Sequence, residues 1–245
     1  MINLCIIGNS HTGALKRAWD QLVAADSKKK VRVTFFAQRV GGLEKLRLDA
    51  QSLVPNDASL KKALEFTSGG ETSIDVTKYD AFLIYGVGLN AYYSDGSFFS
   101  REVTHCALID NFGKSLGYKL LMMIRSVSNS KVYLGHVPLA SNLARDKVKN
   151  SPSLSVQYVN GETLANDKLF ASLNCVLVCQ PQETLVGNNR NTHSRFSKES
   201  KRLDIGDNLD SELHPTNENI HMNDAYGEIW LTSFLERLFI DNIRT

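Results

Sequence analysis

Five short apolar runs, separated by stretches with helical periodicity, limit this chain to a narrow set of architectures. Ile2–Gly8, Val31–Ala37, residues 81–86, Lys131–Gly135 and residues 175–179 are dominated by β-branched, aromatic and other apolar side chains, the pattern of buried parallel strands. The stretch after the first run places Ala14, Leu15, Ala18, Trp19, Leu22 and Val23 on one stripe, with Lys16, Arg17, Asp20 and Gln21 facing out. Further helical patterns cover 99–112, 115–126, 165–173 and 224–241, the last with Trp230, Leu231, Phe234, Leu235 and Leu238 apolar. Strand alternating with helix means right-handed crossovers and helices on both faces of a sheet. The expected fold class is therefore α/β, a three-layer α/β/α sandwich around a parallel sheet of about five strands.

With 245 residues, 42% of them hydrophobic, the chain can bury one substantial core, and residues 1–245 read as a single domain rather than two small ones. A formal charge of +2 calls for neither nucleic acid nor an anionic membrane. Lys28-Lys29-Lys30 is a local basic run of the solvated-linker kind. The first apolar run is too short, and lacks the basic leader, for a signal peptide or a membrane span, so a soluble cytoplasmic protein is expected. Cys5, Cys106, Cys175 and Cys179 show no Cys-x-x-Cys pair and read as free buried thiols. No stretch specifies an oligomeric state.

Two segments interrupt the alternation. Residues 40–78 carry Gly41-Gly42, Pro55, Gly69-Gly70 and a short helical pattern near 59–65, and residues 182–223 are polar. Both read as long loops following strands, at the edge where α/β proteins bind ligands.

Ser10 lies on the turn from the first strand to the first helix, and His221 lies just before the last helix. A serine hydroxyl becomes a competent nucleophile when a base takes its proton, and neutral imidazole does so near neutral pH. Taken singly, Ser10 reads as a helix cap and His221 as a loop residue. Gly8-Asn9-Ser10-His11-Thr12-Gly13 has phosphate-loop spacing, but Ala14-Leu15 replaces the required Lys-Ser/Thr pair. Gly86-Val87-Gly88-Leu89-Asn90-Ala91 matches a dinucleotide fingerprint, yet Tyr92-Tyr93-Ser94-Asp95-Gly96 opens no convincing helix.

Taken together, these segments resemble the SGNH hydrolases, relatives of the GDSL esterases, over nearly the whole chain. Gly8-Asn9-Ser10-His11 is similar to the nucleophile block, with Asn9 where many members carry Asp. Gly41 or Gly42 follows the second strand like the glycine block, and Gly88-Leu89-Asn90 resembles the Gly-x-Asn block. Glu218-Asn219-Ile220-His221 has the spacing of Asp-x-x-His, with Glu for Asp, and the phrase from His221 to Gly227 resembles bacterial members linked to surface glycans. The resemblance implies a flavodoxin-like parallel sheet. It also implies that Ser10 is the nucleophile, His221 the base and Glu218 the residue that orients His221. An oxyanion would meet the backbone N–H groups of Ser10 and Gly41 and the amide of Asn90.

Competing assignments accompany each of these. Asp210, Asp224 or a backbone carbonyl could replace Glu218, and His214 is the serious rival to His221. His11 and Tyr92 are candidate substrate contacts. Tyr92, Tyr93, Phe98 and Phe99 form a candidate sugar-stacking wall, although core packing is their ordinary role. Arg190 and Arg195 would meet an anionic sugar if they are not simply solvated. His105 and His136 read as structural, His193 and His214 as loop surface, and no histidine spacing forms a metal site. The expected activity is hydrolysis of acyl esters, O-acetyl among them, on carbohydrate through an acyl-Ser10 intermediate. The partner would be a small-molecule or glycan acyl ester, with no cofactor. An O-acyltransferase using the same residues and a non-catalytic glycan-binding scaffold are the alternatives.

Overall fold

In the computed structural model, which describes residues 1–22, 30–94, 99–148 and 152–243, β1 (Ile2–Gly8) is an inner strand of a parallel sheet. It pairs on one side with β2 (Val31–Ala37) and on the other with β6 (Ala81–Tyr85), so that Leu4 stands between Val33 and Ala81. Beyond β6 lie β7 (Lys131–Gly135) and β8 (Cys175–Val178), all parallel, in the order β2-β1-β6-β7-β8. That is the flavodoxin-like order, and with helices on both faces it makes the three-layer α/β/α sandwich.

The period of two along each strand divides the core. Leu4, Ile6, Leu83, Tyr85 and Tyr133 face α1 (Thr12–Gln21) and the last helix, α6 (Asp224–Ile243), through Leu15, Trp19, Trp230, Phe234 and Leu238. Cys5, Ile7, Phe82, Ile84 and Leu134 face the other way. They pack on α2 (Ala58–Ser68), α3 (Arg101–Phe112) and α4 (Leu116–Arg125), and on the segment through Phe170 after α5 (Pro152–Ala165). The inner strands are largely hydrophobic because helices cover both faces of the sheet, whereas the edge strand β2 leaves Arg32 exposed.

Three parts of the sequence-based expectation are corrected. Residues 40–78 are not a long loop. They hold a small antiparallel sheet of β3 (Leu46–Asp49), β4 (Ser52–Pro55) and β5 (Ile74–Asp75), plus α2, with Leu53, Ile74 and Val76 buried beneath. Asp57 caps α2 by accepting from the Leu60 N–H, and Gly69 ends it in the left-handed conformation (φ 81°). The helix expected at 165–173 is the tail of α5, continued by a π-helical turn at Asn166–Phe170 and a 3₁₀ turn at Ala171–Leu173. Exposed Val156 and Val159 flank buried Tyr158 on α5, which hides its helical period. The third concerns Cys106, which is exposed rather than buried; all four cysteines are free. The helix expected from residue 99 starts at Arg101, where Ser100 accepts from the Val103 N–H.

Val23, Lys28, Lys29 and Phe98 lie outside the described residues, while Lys30 sits over the Phe239 ring at 5.7 Å. Residues 182–223 contain a short antiparallel pair, β9 (Leu185–Val186) with β10 (Asn191–Thr192), and 3₁₀ turns at Gln182–Thr184 and Ser194–Phe196. Side chains from the opening third of the chain hold this segment down. Arg39 donates to the Leu203 carbonyl, Asp207 and Asp210 at 2.7–2.8 Å, and Arg17 reaches the carbonyls of Arg202 and Lys201. Among the described residues, no helix is long and apolar enough to cross a membrane.

Candidate active site

Two helices that start at the same edge of the sheet bring the ends of the chain together. α1 follows β1 after three residues, and α6 packs against α1 so closely that a Cβ at Gly227 would stand 2.2 Å from the Ala14 carbonyl oxygen. Arg17 Nε bonds Asp224 Oδ1 at 2.6 Å across the same crossing. The first turn of each helix therefore faces the other.

Asn9 shapes the turn that carries Ser10. Its Nδ2 donates to the Gly86 carbonyl at the end of β6 (2.5 Å), and its Oδ1 accepts from the His11 N–H (3.1 Å). Gly86 (φ 70°) leaves no room for a side chain there: a Cβ would lie 3.0 Å from both Asn9 Oδ1 and His11 Cβ. The Thr12 hydroxyl closes the turn on the Asn9 carbonyl at 2.6 Å. No side chain caps α1, so capping is not what Ser10 does. Its Oγ lies 2.8 Å from His221 Nε2.

His221 is fixed from behind. Its Nδ1 lies 2.5 Å from Glu218 Oε2, while Glu218 Oε1 accepts the backbone N–H groups of Ile220 (2.7 Å) and His221 (3.2 Å). Burial alone would raise the Glu218 carboxyl; the Ile220 N–H and the contacts with His221 outweigh it and hold the group below the usual carboxylate range. Asn223, two residues on, anchors the strap by donating to the carbonyls of Arg195 (2.9 Å) and Lys198 (3.0 Å). Serine, histidine and glutamate thus stand in one hydrogen-bonded line, at the carboxyl edge of a 2-1-3-4-5 parallel sheet. The fold that carries this line is the flavodoxin-like three-layer α/β/α sandwich.

Three solved structures align with this chain over nearly the full length of both chains. They are a carbohydrate acetylesterase family member from Sinorhizobium meliloti (8% identity, TM-score 0.44, 98% of each chain), a possible lipase from Chitinophaga pinensis (11%, 0.42, 99% of each) and an inhibitor-bound aryl esterase of M. smegmatis (10%, 0.40, 97% of this chain and 98% of that one). No protein-family model and no curated protein matches the chain.

Both rivals for the Glu218 position are engaged elsewhere. Asp210 accepts from Arg39 and from the Ile205 and Gly206 N–H groups, and Asp224 is held by Arg17. The three oxyanion candidates occupy the carboxyl ends of adjacent strands: Ser10 after β1, Gly41 after β2 and Asn90 after β6, with Asn90 and Gly41 exposed. The glycines are not the residues with positive φ in the loop after β2. Gly41 has φ −65°, whereas Val40, 88% exposed, takes φ 54°, an uncommon state for a β-branched side chain. Gly42 owes its identity to crowding, since a Cβ there would meet Gln38 Cγ at 2.2 Å.

His214 is not loop surface. It is largely buried, lies flat on His221 with ring centroids 4.0 Å apart, and brings its Nδ1 within 3.3 Å of Glu218 Oε2. His11 also stacks on His221, at 4.8 Å. Sequence reasoning gave His214 no partner, and its place four residues before Glu218 does not announce the stack on His221. His214, Glu218 and His221 bring three candidate ligand atoms within 4.8 Å, a grouping their spacing alone does not announce. Their geometry does not fit a metal ion. Imidazole lone pairs lie in the ring plane, and two planes 6° from parallel and about 4 Å apart leave no point about 2 Å from both nitrogens and in both planes.

His136 is structural, with Nε2 on the buried Tyr158 hydroxyl and Nδ1 near the Val137 carbonyl. No helix opens after Gly86-Val87-Gly88, since residues 90–94 are irregular, so a pyrophosphate would find no helix N-terminus there. From Tyr92 onward the chain instead borders an open cleft of about 860 Å³ between α3 and α5, lined among others by Tyr92, Tyr93, Phe99, Asn160, Lys168 and Arg190. The Arg190 guanidinium lies 4.5 Å from the Tyr93 ring centroid and also bonds Gln157. Arg195 lies over Phe196 in the same way.

Proposed function

We propose that this protein is a serine ester hydrolase that removes acyl groups, O-acetyl among them, from carbohydrate. One observation carries the reading: Ser10 Oγ and His221 Nε2 are 2.8 Å apart, with the Glu218 carboxylate on the far nitrogen of the same ring. In that arrangement Nδ1 holds the proton shared with Glu218, and Nε2 presents its lone pair to the hydroxyl. Ser10 attacks the ester carbonyl as its proton passes to His221. The resulting oxyanion is met by the Ser10 and Gly41 N–H groups and the Asn90 amide, each such donor contributing about 10²–10³ in rate. Collapse breaks the bond to the sugar oxygen, which takes the proton from His221 and leaves an acyl-Ser10 ester. Water then gives a proton to His221 and attacks that ester; carboxylic acid departs, and Ser10 regains its proton. Carbohydrate is favoured over a small alcohol by the cleft of aromatic and polar side chains that begins two residues past Asn90, with Tyr92 at its edge and His11 beside Ser10 as the proposed substrate contacts.

Fluorophosphonate labelling and acetyl-ester turnover test the reading. The wild-type protein should take one adduct, on Ser10, and Ser10→Ala should lose turnover by about 10³-fold or more. Equal turnover by both proteins would remove the catalytic assignment. Transfer of the acetyl group to an added oligosaccharide rather than to water would make the same machinery an O-acyltransferase. Glycan binding without an adduct would leave a non-catalytic scaffold.

A further inference from the structure

His221 is clasped by two other imidazoles. His214 stacks on it at 4.0 Å with the planes 6° apart, and His11 at 4.8 Å and 28°; two rings stacked this closely on one imidazole occupy opposite faces. Each flanking ring keeps one buried nitrogen, His214 Nε2 and His11 Nδ1, without a hydrogen-bond partner among the described residues. Protonating either nitrogen would bury an unsatisfied cationic donor, so both rings are held in their uncharged form.

We propose that His11 and His214 form a neutral imidazole clamp, which fixes the plane of His221 against Ser10. The proposal rests on the serine-esterase reading and adds two positioning residues to it. Neither ring needs to touch substrate. Clamped between flat faces, His221 cannot turn its Nε2 away from Ser10, and when it takes the proton the flanking rings offer it their π faces. Glu218 Oε2, bonded to His221 Nδ1 at 2.5 Å, also lies 3.3 Å from His214 Nδ1, so the clamp closes over the His221–Glu218 pair as well.

The surroundings agree. Burial first, then the neighbouring His221, depress His11 to about 3; Glu218 opposes the shift and His214 adds to it. Burial first, then His221, depress His214 to about 4, with Glu218 again opposed and Arg202 and Arg17 pushing the same way. With Ser10, these are the titratable and charged groups that face the clamp.

Two variants separate its parts. His214→Phe keeps a flat ring on His221 and removes the nitrogen near Glu218; His214→Ala removes both. The Phe variant should keep kcat within a few-fold, because a flat face still lies on His221. The Ala variant should lose about 10- to 100-fold in kcat with KM little changed. Wild-type kcat in the Ala variant, or an equal loss in both variants, would overturn the clamp. Imidazole NMR titration of the wild-type protein decides independently of turnover: His11 and His214 should stay neutral down to pH 5, and ordinary titration of either overturns the proposal. If Ser10 takes no fluorophosphonate the esterase reading fails, while the NMR titration still judges the clamp.

Discussion

Asn9 presents the nucleophile because both ends of its amide are in use, one on the Gly86 carbonyl and one on the His11 N–H. The SGNH resemblance sets aspartate at this position in many members, yet in this chain a carboxylate would face the Gly86 carbonyl at 2.5 Å, acceptor against acceptor. Asn9→Asp should therefore lose about 1–3 kcal/mol of stability at neutral pH, read as a lower urea midpoint. The sign follows from the protonated acid, which alone can donate to Gly86. The folded-state carboxyl rises above its unfolded value, so the deficit shrinks as the pH falls through the raised value. A variant with the wild-type midpoint at pH 7 would mean that the amide does not brace the turn. Of the site residues, Ser10, His221 and Glu218 were legible because their types and spacing match a known chemistry. His214 was not, because what makes it part of the site is a face-to-face stack, and stacking leaves no trace in spacing.

The crossing of α1 and α6 sets the distance between Ser10 and His221. Gly227 is the contact point: a single added carbon would sit 2.2 Å from the Ala14 carbonyl oxygen, backbone that cannot swing aside. Gly227→Ala should push the helices apart, at about 1–3 kcal/mol in stability. The shift of the helix starts should slow acyl transfer by about 10²-fold, with fluorophosphonate labelling of Ser10 slowed in parallel. Labelling at the wild-type rate would show that the crossing does not set the catalytic distance. At this scale the sequence reads well where a period is sustained, in the five parallel strands and in α1, α4 and α6, because each repeats its burial pattern over several turns or residue pairs. It reads poorly for β3, β4 and β5, whose two to four residues are too few to show alternation. It also misplaces α5, where exposed Val156 and Val159 blur the apolar stripe and the π-helical turn shifts its phase.

Across the whole molecule, closing the two ends of the chain over one site traps imidazoles in a form that acid opposes. His11 and His214 are depressed to about 3 and about 4, and His136, buried and bonded to Tyr158, is lowered as well. In the unfolded chain each would take up its proton near pH 6.5. Over the window from about 6.5 down to 4 the unfolded state therefore binds more protons than the folded one, and stability falls with pH. Glu162, raised by burial, works in the opposite direction, because the folded state holds its proton more tightly. Each imidazole kept neutral adds up to about 1.4 kcal/mol per pH unit to the slope, less for His214 where solvent screens it. The net expectation is a loss of about 1–2 kcal/mol per pH unit between pH 6 and pH 4.5, before most carboxylates titrate. Urea midpoints across that range measure the slope, and His214→Phe should flatten it by up to one proton's share without changing the midpoint's direction of travel. A wild-type protein equally stable at pH 7 and pH 5 would mean that these rings take up protons while folded, and that closing the chain ends over Ser10 does not hold them neutral.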